Sequence, residues 1–225
     1  MPRVVDASKR LRNRLAEFET EYATLEAELA AFHPEYLRRV GVVMARVDEL
    51  EARILMRLAK DSGTPDDAWA AYNASEQARR TTAEAKAIPE PGGPIPTADL
   101  KTLFRDAAKR MHPDLAPSDR SRRHAEAFMK RLNHAYRAGD AGAIADLMRQ
   151  WDAGGSGGDE RAVEALEAAV ARAEQRLADL RATGLAEILE RVMAAAARGE
   201  DLLASMRADA EAALRDAEQR WQAMQ

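Results

Sequence analysis

Along residues 1–62, apolar positions return in alternating steps of four and three. Leu11, Leu15, Phe18, Tyr22, Leu25, Leu29 and Phe32 form one such series, and Tyr36, Val40, Val43, Val47, Leu50 and Ile54 continue it. Arg39, Arg46, Asp48, Glu49 and Arg53 fall between them. That spacing gathers apolar groups on one stripe of a helix, the a/d seam of a coiled coil. Pro34 predicts a kink or break, because proline has no amide donor and disfavours helical geometry at His33 before it. A stop is predicted at Asp61–Ser62–Gly63, glycine being a common helix terminator.

The same cadence returns at the other end. Val163, Leu166, Val170, Ala173, Leu177 and Leu180 make a second seam, Thr183–Gly184 interrupts it, and Leu185, Leu189, Val192, Ala196, Leu203, Met206, Ala210, Ala213 and Ala217 resume it. Gly199 is a weak point, and the helix is predicted to run to about Trp221. Neither stripe can be buried by its own helix, so each needs a partner helix from the opposite end of the chain or from a second copy in a homodimer. Pro34 and Gly184 lie about equally far from the middle of the sequence, so an antiparallel hairpin would bring the two interruptions level. The fold class expected is therefore all-α, with long antiparallel coiled-coil arms from both termini around a small central helical hairpin.

Between the arms the pattern changes. Asp66–Ala87 is polar and alanine-rich, with Trp69 and Tyr72 its only large residues, and reads as a short, loosely held helix. Pro89–Glu90–Pro91–Gly92–Gly93–Pro94–Ile95–Pro96 cannot continue a helix and reads as an extended connector. Thr97–Ala98–Asp99 then offers a cap and an acidic first turn to an amphipathic helix with Leu100, Leu103, Phe104, Ala107, Ala108 and Met111 on one side and Lys101, Arg105, Lys109 and Arg110 outside. That helix stops at His112–Pro113–Asp114. A loop over Ala116–Ser121 leads to a second helix, beginning near Arg122, which presents Ala125, Met129, Leu132, Ala135 and Tyr136 on one face. Gly139–Asp140 closes it, and Ala143, Ile144 and Leu147 start a third, short helix. The organisation expected is an arm over 1–62, a helix and connector over 63–96, a helical module over 97–152, a Gly-rich linker over 153–160 and an arm over 161–225.

Composition narrows the function classes. The chain has 225 residues, of which 46% are hydrophobic but only 5% aromatic; narrow helical contacts suit such a composition better than a thick core. It has no cysteine, which excludes disulfides, thiolate metal sites and cysteine nucleophiles. No apolar run reaches the length of a membrane span, and the charged amino terminus lacks the apolar core of a secretory signal, so a soluble, cytoplasmic protein with no membrane partner is expected. His112, Asp114, His124 and His134 do not converge at these spacings, and Gly154–Gly158 lacks the Lys-Ser/Thr of a phosphate-binding loop. No enzyme active site, metal site or cofactor site is predicted. Charge is uneven: the net is −4, yet residues 100–137 hold ten Lys+Arg against four Asp+Glu, a local +6. Such a patch steers acidic partners.

The stretch LFRDAAKRMHPDL followed by MKRLNHAY resembles the J-domain, the module by which DnaJ-type co-chaperones engage DnaK-type heat-shock chaperones. The resemblance covers about residues 97–138. Leu100, Phe104, Ala107 and Ala108 match core positions of the family's first motif helix, and Met129, Leu132, Ala135 and Tyr136 those of its partner. It implies that His112, Pro113 and Asp114 form the trigger that accelerates the chaperone's ATP hydrolysis, and that Arg105, Lys109 and Arg110 face an acidic surface of that chaperone. The family's preceding Tyr-x-x-Leu-Gly helix is replaced here by the Pro/Gly connector, and the helix after Tyr136 is shorter than usual. No Gly/Phe-rich segment or zinc module is present. The function expected is that of a co-chaperone whose coiled-coil arms bind a client or assemble. The alternative is a non-catalytic scaffold or adaptor with a degenerate J-domain. Nucleic-acid binding, through Arg120, Arg122, Arg123, Lys130 and Arg131, ranks below both, because the chain is acidic overall and lacks an aromatic stacking platform.

Overall fold

The computed structural model describes residues 2–116, 118–154 and 163–225, and all regular structure among them is helical. The predicted Gly-rich linker lies outside the described residues from 155 onward, as does Pro117 of the predicted loop. The chain divides into two compact units, residues 1–31 with 92–187 and residues 32–91 with 188–225.

Helix α1 (Pro2–Tyr36) does not break at Pro34. Proline leaves the carbonyl of Ala30 without its helical donor, and the amide of Gly92 in the connector fills that vacancy at 3.1 Å. A side chain at position 92 would collide with the Ala30 backbone, so glycine is what permits this approach. The irregularity appears three residues later, where Leu37–Gly41 wind as a π-helical turn before α2 (Val42–Ser62). Helix α2 ends as predicted, with Gly63 in the left-handed conformation at φ 68°.

The second unit corrects two expectations. The helix expected over Asp66–Ala87 has nearly that extent but is not loosely held: α3 (Pro65–Lys86) is capped by Thr64 and packs along α2. Its inner stripe is made of small residues, with Ala71 and Ala78 buried and Ala74 and Ala85 partly so. Spacing by four and three is present, but alanine carries it, and small side chains let the two helices approach closely. Trp69 and Tyr72 do not anchor this helix. They stack on each other at 5.7 Å and are 64% and 56% exposed. The second correction concerns direction. Helix α9 (Leu202–Ala223) meets α2 through Val43, Val47, Leu50 and Ile54 against Ala210, Leu214 and Ala217. Arg39 pairs with Asp201 (2.5 Å), Arg46 with Glu218 (3.9 Å) and Arg220 with Glu51 (3.2 Å), so residue numbers rise together and the helices are parallel, not antiparallel. The reason is α3, which supplies the antiparallel return leg and leaves α9 to run with α2. The two weak points of the C-terminal arm are real ends: α7 (Val163–Arg181) stops before Thr183–Gly184, α8 spans Gly184–Ala196, and Gly199 takes φ 76° in the turn before α9.

In the first unit α1 uses two faces. The predicted large-residue seam meets α7, where Leu15 packs with Ala169, Val170 and Ala173. Here too the rungs ascend together, Arg14 with Glu174 (3.5 Å) and Glu21 with Arg181 (2.9 Å), so the pairing is parallel. A second face of α1, unmarked by large apolar residues, carries Ala16, Thr20, Ala23, Thr24 and Ala27, all buried. Ala16 and Ala23 belong to the core of the central module, built from α4 (Ala98–Met111), α5 (Asp119–Arg137) and α6 (Ala141–Ala153).

Candidate functional site

Helix α4 is amphipathic by the spacing of Leu100, Phe104, Ala107, Ala108 and Met111, all buried, and starts where the Thr97 hydroxyl accepts the Leu100 amide at 3.3 Å. It stops because Pro113 holds His112 in an extended conformation (φ −64°, ψ 131°). Pro113–Leu115 then form one 3-10 turn. Helix α5 begins at Asp119, three residues before the predicted Arg122, because Ser118 and Ser121 form a reciprocal capping box. Between the helices the Phe104 and Tyr136 rings lie 4.4 Å apart. The Tyr136 hydroxyl pairs with the Thr24 hydroxyl of α1 at 2.7 Å, which satisfies a phenol that burial would otherwise leave unpartnered. Burial is also the main reason its pKa rises above the usual phenol value.

Within the His-Pro-Asp turn the histidine faces inward. His112 is 8% exposed, and both ring nitrogens are used. Its Nδ1 accepts the amide of Asp114 at 3.1 Å, which puts the ring proton on Nε2, the atom that donates to Glu19 Oε1 of α1 at 3.2 Å. Glu19 is itself only 7% exposed, and Arg176 of α7 pairs with the same carboxylate. Burial alone would push the Glu19 pKa up. The hydrogen bond from His112 and the guanidinium of Arg176 outweigh it, so the carboxyl titrates below its ordinary 4.5. The Asp114 carboxylate accepts from Arg172 of α7 at 2.9 Å. Pro113 is half-buried. The predicted trigger is thus held from two sides, by Glu19 of α1 and by Arg172 of α7.

The basic face of α4 is more open. Arg105 is partly exposed and has no ion pair among the described residues. Lys109 lies 3.7 Å from Asp106 one turn away, and Arg110 reaches Asp152 of α6 at 3.0 Å, with about half of its side chain in solvent. The structure therefore brings Arg105, Lys109 and Arg110 onto an accessible helix surface, whereas His112 and Asp114 are bonded to the chain's own helices. Sequence reasoning identified the turn and missed its partners. Glu19 stands between apolar seam positions as any solvated charge would, and Arg172 and Arg176 look like ordinary outer-face residues. The one visible hint was that no apolar helix directly precedes α4 in the sequence; the small-residue face of α1 packs against α4 and α5 instead. Among the described residues no three His, Asp or Glu side chains converge in a way that could hold a metal, and no helix is long and apolar enough to cross a membrane. No family model, curated protein or solved structure matches the chain.

Proposed function

We propose that this chain is a DnaJ-type co-chaperone caught with its trigger closed. His112, Pro113 and Asp114, with Arg105, Lys109 and Arg110 of the neighbouring helix, would dock on a DnaK-type heat-shock chaperone and stimulate its ATP hydrolysis. The observation that carries the reading is the combination of a His-Pro-Asp turn with the packed hairpin beneath it, Phe104 against Tyr136, and a solvent-facing basic helix beside it. Charge complementarity supports docking through α4 and makes it salt-sensitive. The long helices would act as coiled-coil arms that hold a client or a second copy. They also hold the trigger, so productive docking requires Glu19 and Arg172 to release it.

A second reading, a non-catalytic helical scaffold, is favoured by one observation: His112 and Asp114 each have a partner within the chain, which explains both residues without a chaperone. Single-turnover ATP hydrolysis by the cognate chaperone separates the two. The co-chaperone reading expects acceleration by the native chain, more by Glu19→Ala, and none by Glu19→Ala combined with His112→Gln or Asp114→Asn. Hydrolysis that stays at the basal rate with the native chain and with Glu19→Ala leaves the scaffold reading.

A further inference from the structure

Large apolar side chains that cluster in solvent mark contact surfaces. Helix α3 carries such a cluster on the side away from its alanine stripe. Trp69 is 64% exposed and Tyr72 56%, and their rings stack at 5.7 Å with 19° between the planes. At about 100° per residue, Asp66, Trp69, Asn73, Glu76 and Arg80 share an arc of about 80° opposite the buried Ala71 and Ala78, and Tyr72 flanks that arc beside Trp69. The steps between them are three, four, three and four, the cadence of a helix-pairing seam. All are exposed except Glu76, which is half-buried.

The charge along this stripe is its own complement. Asp66 lies seven residues before Asn73 (73 − 66) and Arg80 seven after it (80 − 73). Among the described residues neither has an ion-pair partner, whereas Glu76 already pairs with Arg79 at 2.5 Å. Two copies of α3 laid antiparallel about Asn73 set each Asp66 level with the other copy's Arg80. A parallel alignment sets acid against acid and base against base, which is repulsive.

We propose that α3 docks antiparallel on the α3 of a second copy of this chain, with Trp69 and Tyr72 near the centre of the contact and an Asp66–Arg80 pair at each end. Such an interface is isologous, the same patch serving both chains. Aromatic side chains bury about 150–250 Å² each, so the exposed parts of the four rings account for about 500 Å². The flanking stripe residues bring the total to about 1,000 Å², the lower end for a specific interface, and the dimer should be weak, with a Kd of about 10–100 μM. An unrelated partner could cover the aromatic pair, but only a second copy is matched by a charge pattern complementary to itself. The surface belongs to the second unit and makes no use of the His-Pro-Asp turn, so its test needs no chaperone.

The experiment is sedimentation equilibrium of the full chain between about 5 and 200 μM, a range that brackets the expected Kd. The native chain should pass from monomer to dimer. Trp69→Ala with Tyr72→Ala should raise the Kd about tenfold or more. Asp66→Arg alone and Arg80→Asp alone should each raise it about threefold or more, because each puts like charges at both ends of the contact. An equal mixture of the Asp66→Arg and Arg80→Asp chains should dimerise better than either alone, since opposite charges then face each other at both ends. The proposal is overturned if the native chain stays monomeric throughout, if the aromatic double variant associates as tightly, or if the mixture associates no better than its components. Circular dichroism checks that the variants, all changed at exposed positions, keep their helix content.

Discussion

The two units join a long N-terminal helix to a C-terminal helix in the same parallel sense, yet they do it with different materials. In the second unit aliphatic side chains fill the seam between α2 and α9, and the ion pairs stay at its edge. In the first unit the corresponding contact has a buried carboxylate inside it, Glu19, shared by His112 and Arg176. An aliphatic seam can only be packed or unpacked. A buried ion pair can be opened by supplying competing charge or a proton, because its stability depends on every partner staying in place. The contact beneath the His-Pro-Asp turn is therefore the one of the two that protonation or competing charge can weaken.

The largest effect should come from the core of the first unit. Phe104→Ala removes a fully buried ring that contacts Tyr136 and should cost about 3–5 kcal/mol. Chemical denaturation followed through Trp151 should show a lower midpoint, and the fluorescence of Trp221, read in a variant lacking the other tryptophans, should keep its midpoint. Equal shifts at both probes would mean that the two units unfold as one body and would break the comparison. In the second unit the matching experiment is Ala78→Leu, which forces a large side chain into the alanine stripe between α2 and α3 and should cost about 1–3 kcal/mol. A neutral result would show that the close approach is not what holds α3.

These contrasts also explain what could be read from the sequence. The all-helical class, the stop at Gly63, the extent of α4 and the turn at His112 follow from local chemistry: periodicity of large residues, glycine, proline and caps. The direction of pairing did not, because it depends on α3, whose seam is alanine and whose aromatic residues point away from it. The small-residue face of α1 was equally silent, since Ala16, Thr20 and Ala23 carry no hydrophobic signal strong enough to mark a second interface. Of the candidate site, His112 and Asp114 were legible as a turn. Their burial was not, because Glu19, Arg172 and Arg176 are remote in sequence and become partners only when the helices pack.

Glu19→Ala comes next in size and acts on the His-Pro-Asp turn itself. It leaves His112 Nε2 buried without an acceptor and should cost about 1–3 kcal/mol. Amide exchange at Asp114, whose N–H is held by His112 Nδ1, should speed up in the variant. Unchanged protection would show that α1 does not hold the turn. Acid offers a gentler version. The folded-state pKa of Glu19 is depressed, so its contribution is fully present above the unfolded value of 4.5 and is lost as pH falls through the lower folded value. Between about pH 5 and pH 2 the native chain should lose more stability than Glu19→Gln, which has no proton to take up there. Parallel stability curves for the two proteins over that range would remove Glu19 from the account.

The smallest effect is also the sharpest comparison, because it sets one arginine of each unit against the other. Arg176 and Arg220 are both about half exposed, and each pairs across a parallel helix contact, with Glu19 and Glu51. The acids differ, the Glu19 side chain being 8% exposed and that of Glu51 32%, and Arg220 also pairs with Asp216 one turn away at 3.0 Å. Losing Arg220 leaves a carboxylate that water can reach, so Arg220→Ala should cost less than about 1 kcal/mol. Losing Arg176 leaves a carboxylate that water reaches poorly and that must rely on His112 alone, so Arg176→Ala should cost about 1–2 kcal/mol. The same change should raise the Glu19 pKa, visible as an upward shift in the acid limb of the stability curve. If both arginines prove equally dispensable, the buried carboxylate is satisfied by His112 alone and the α7 side of the clasp reduces to Arg172.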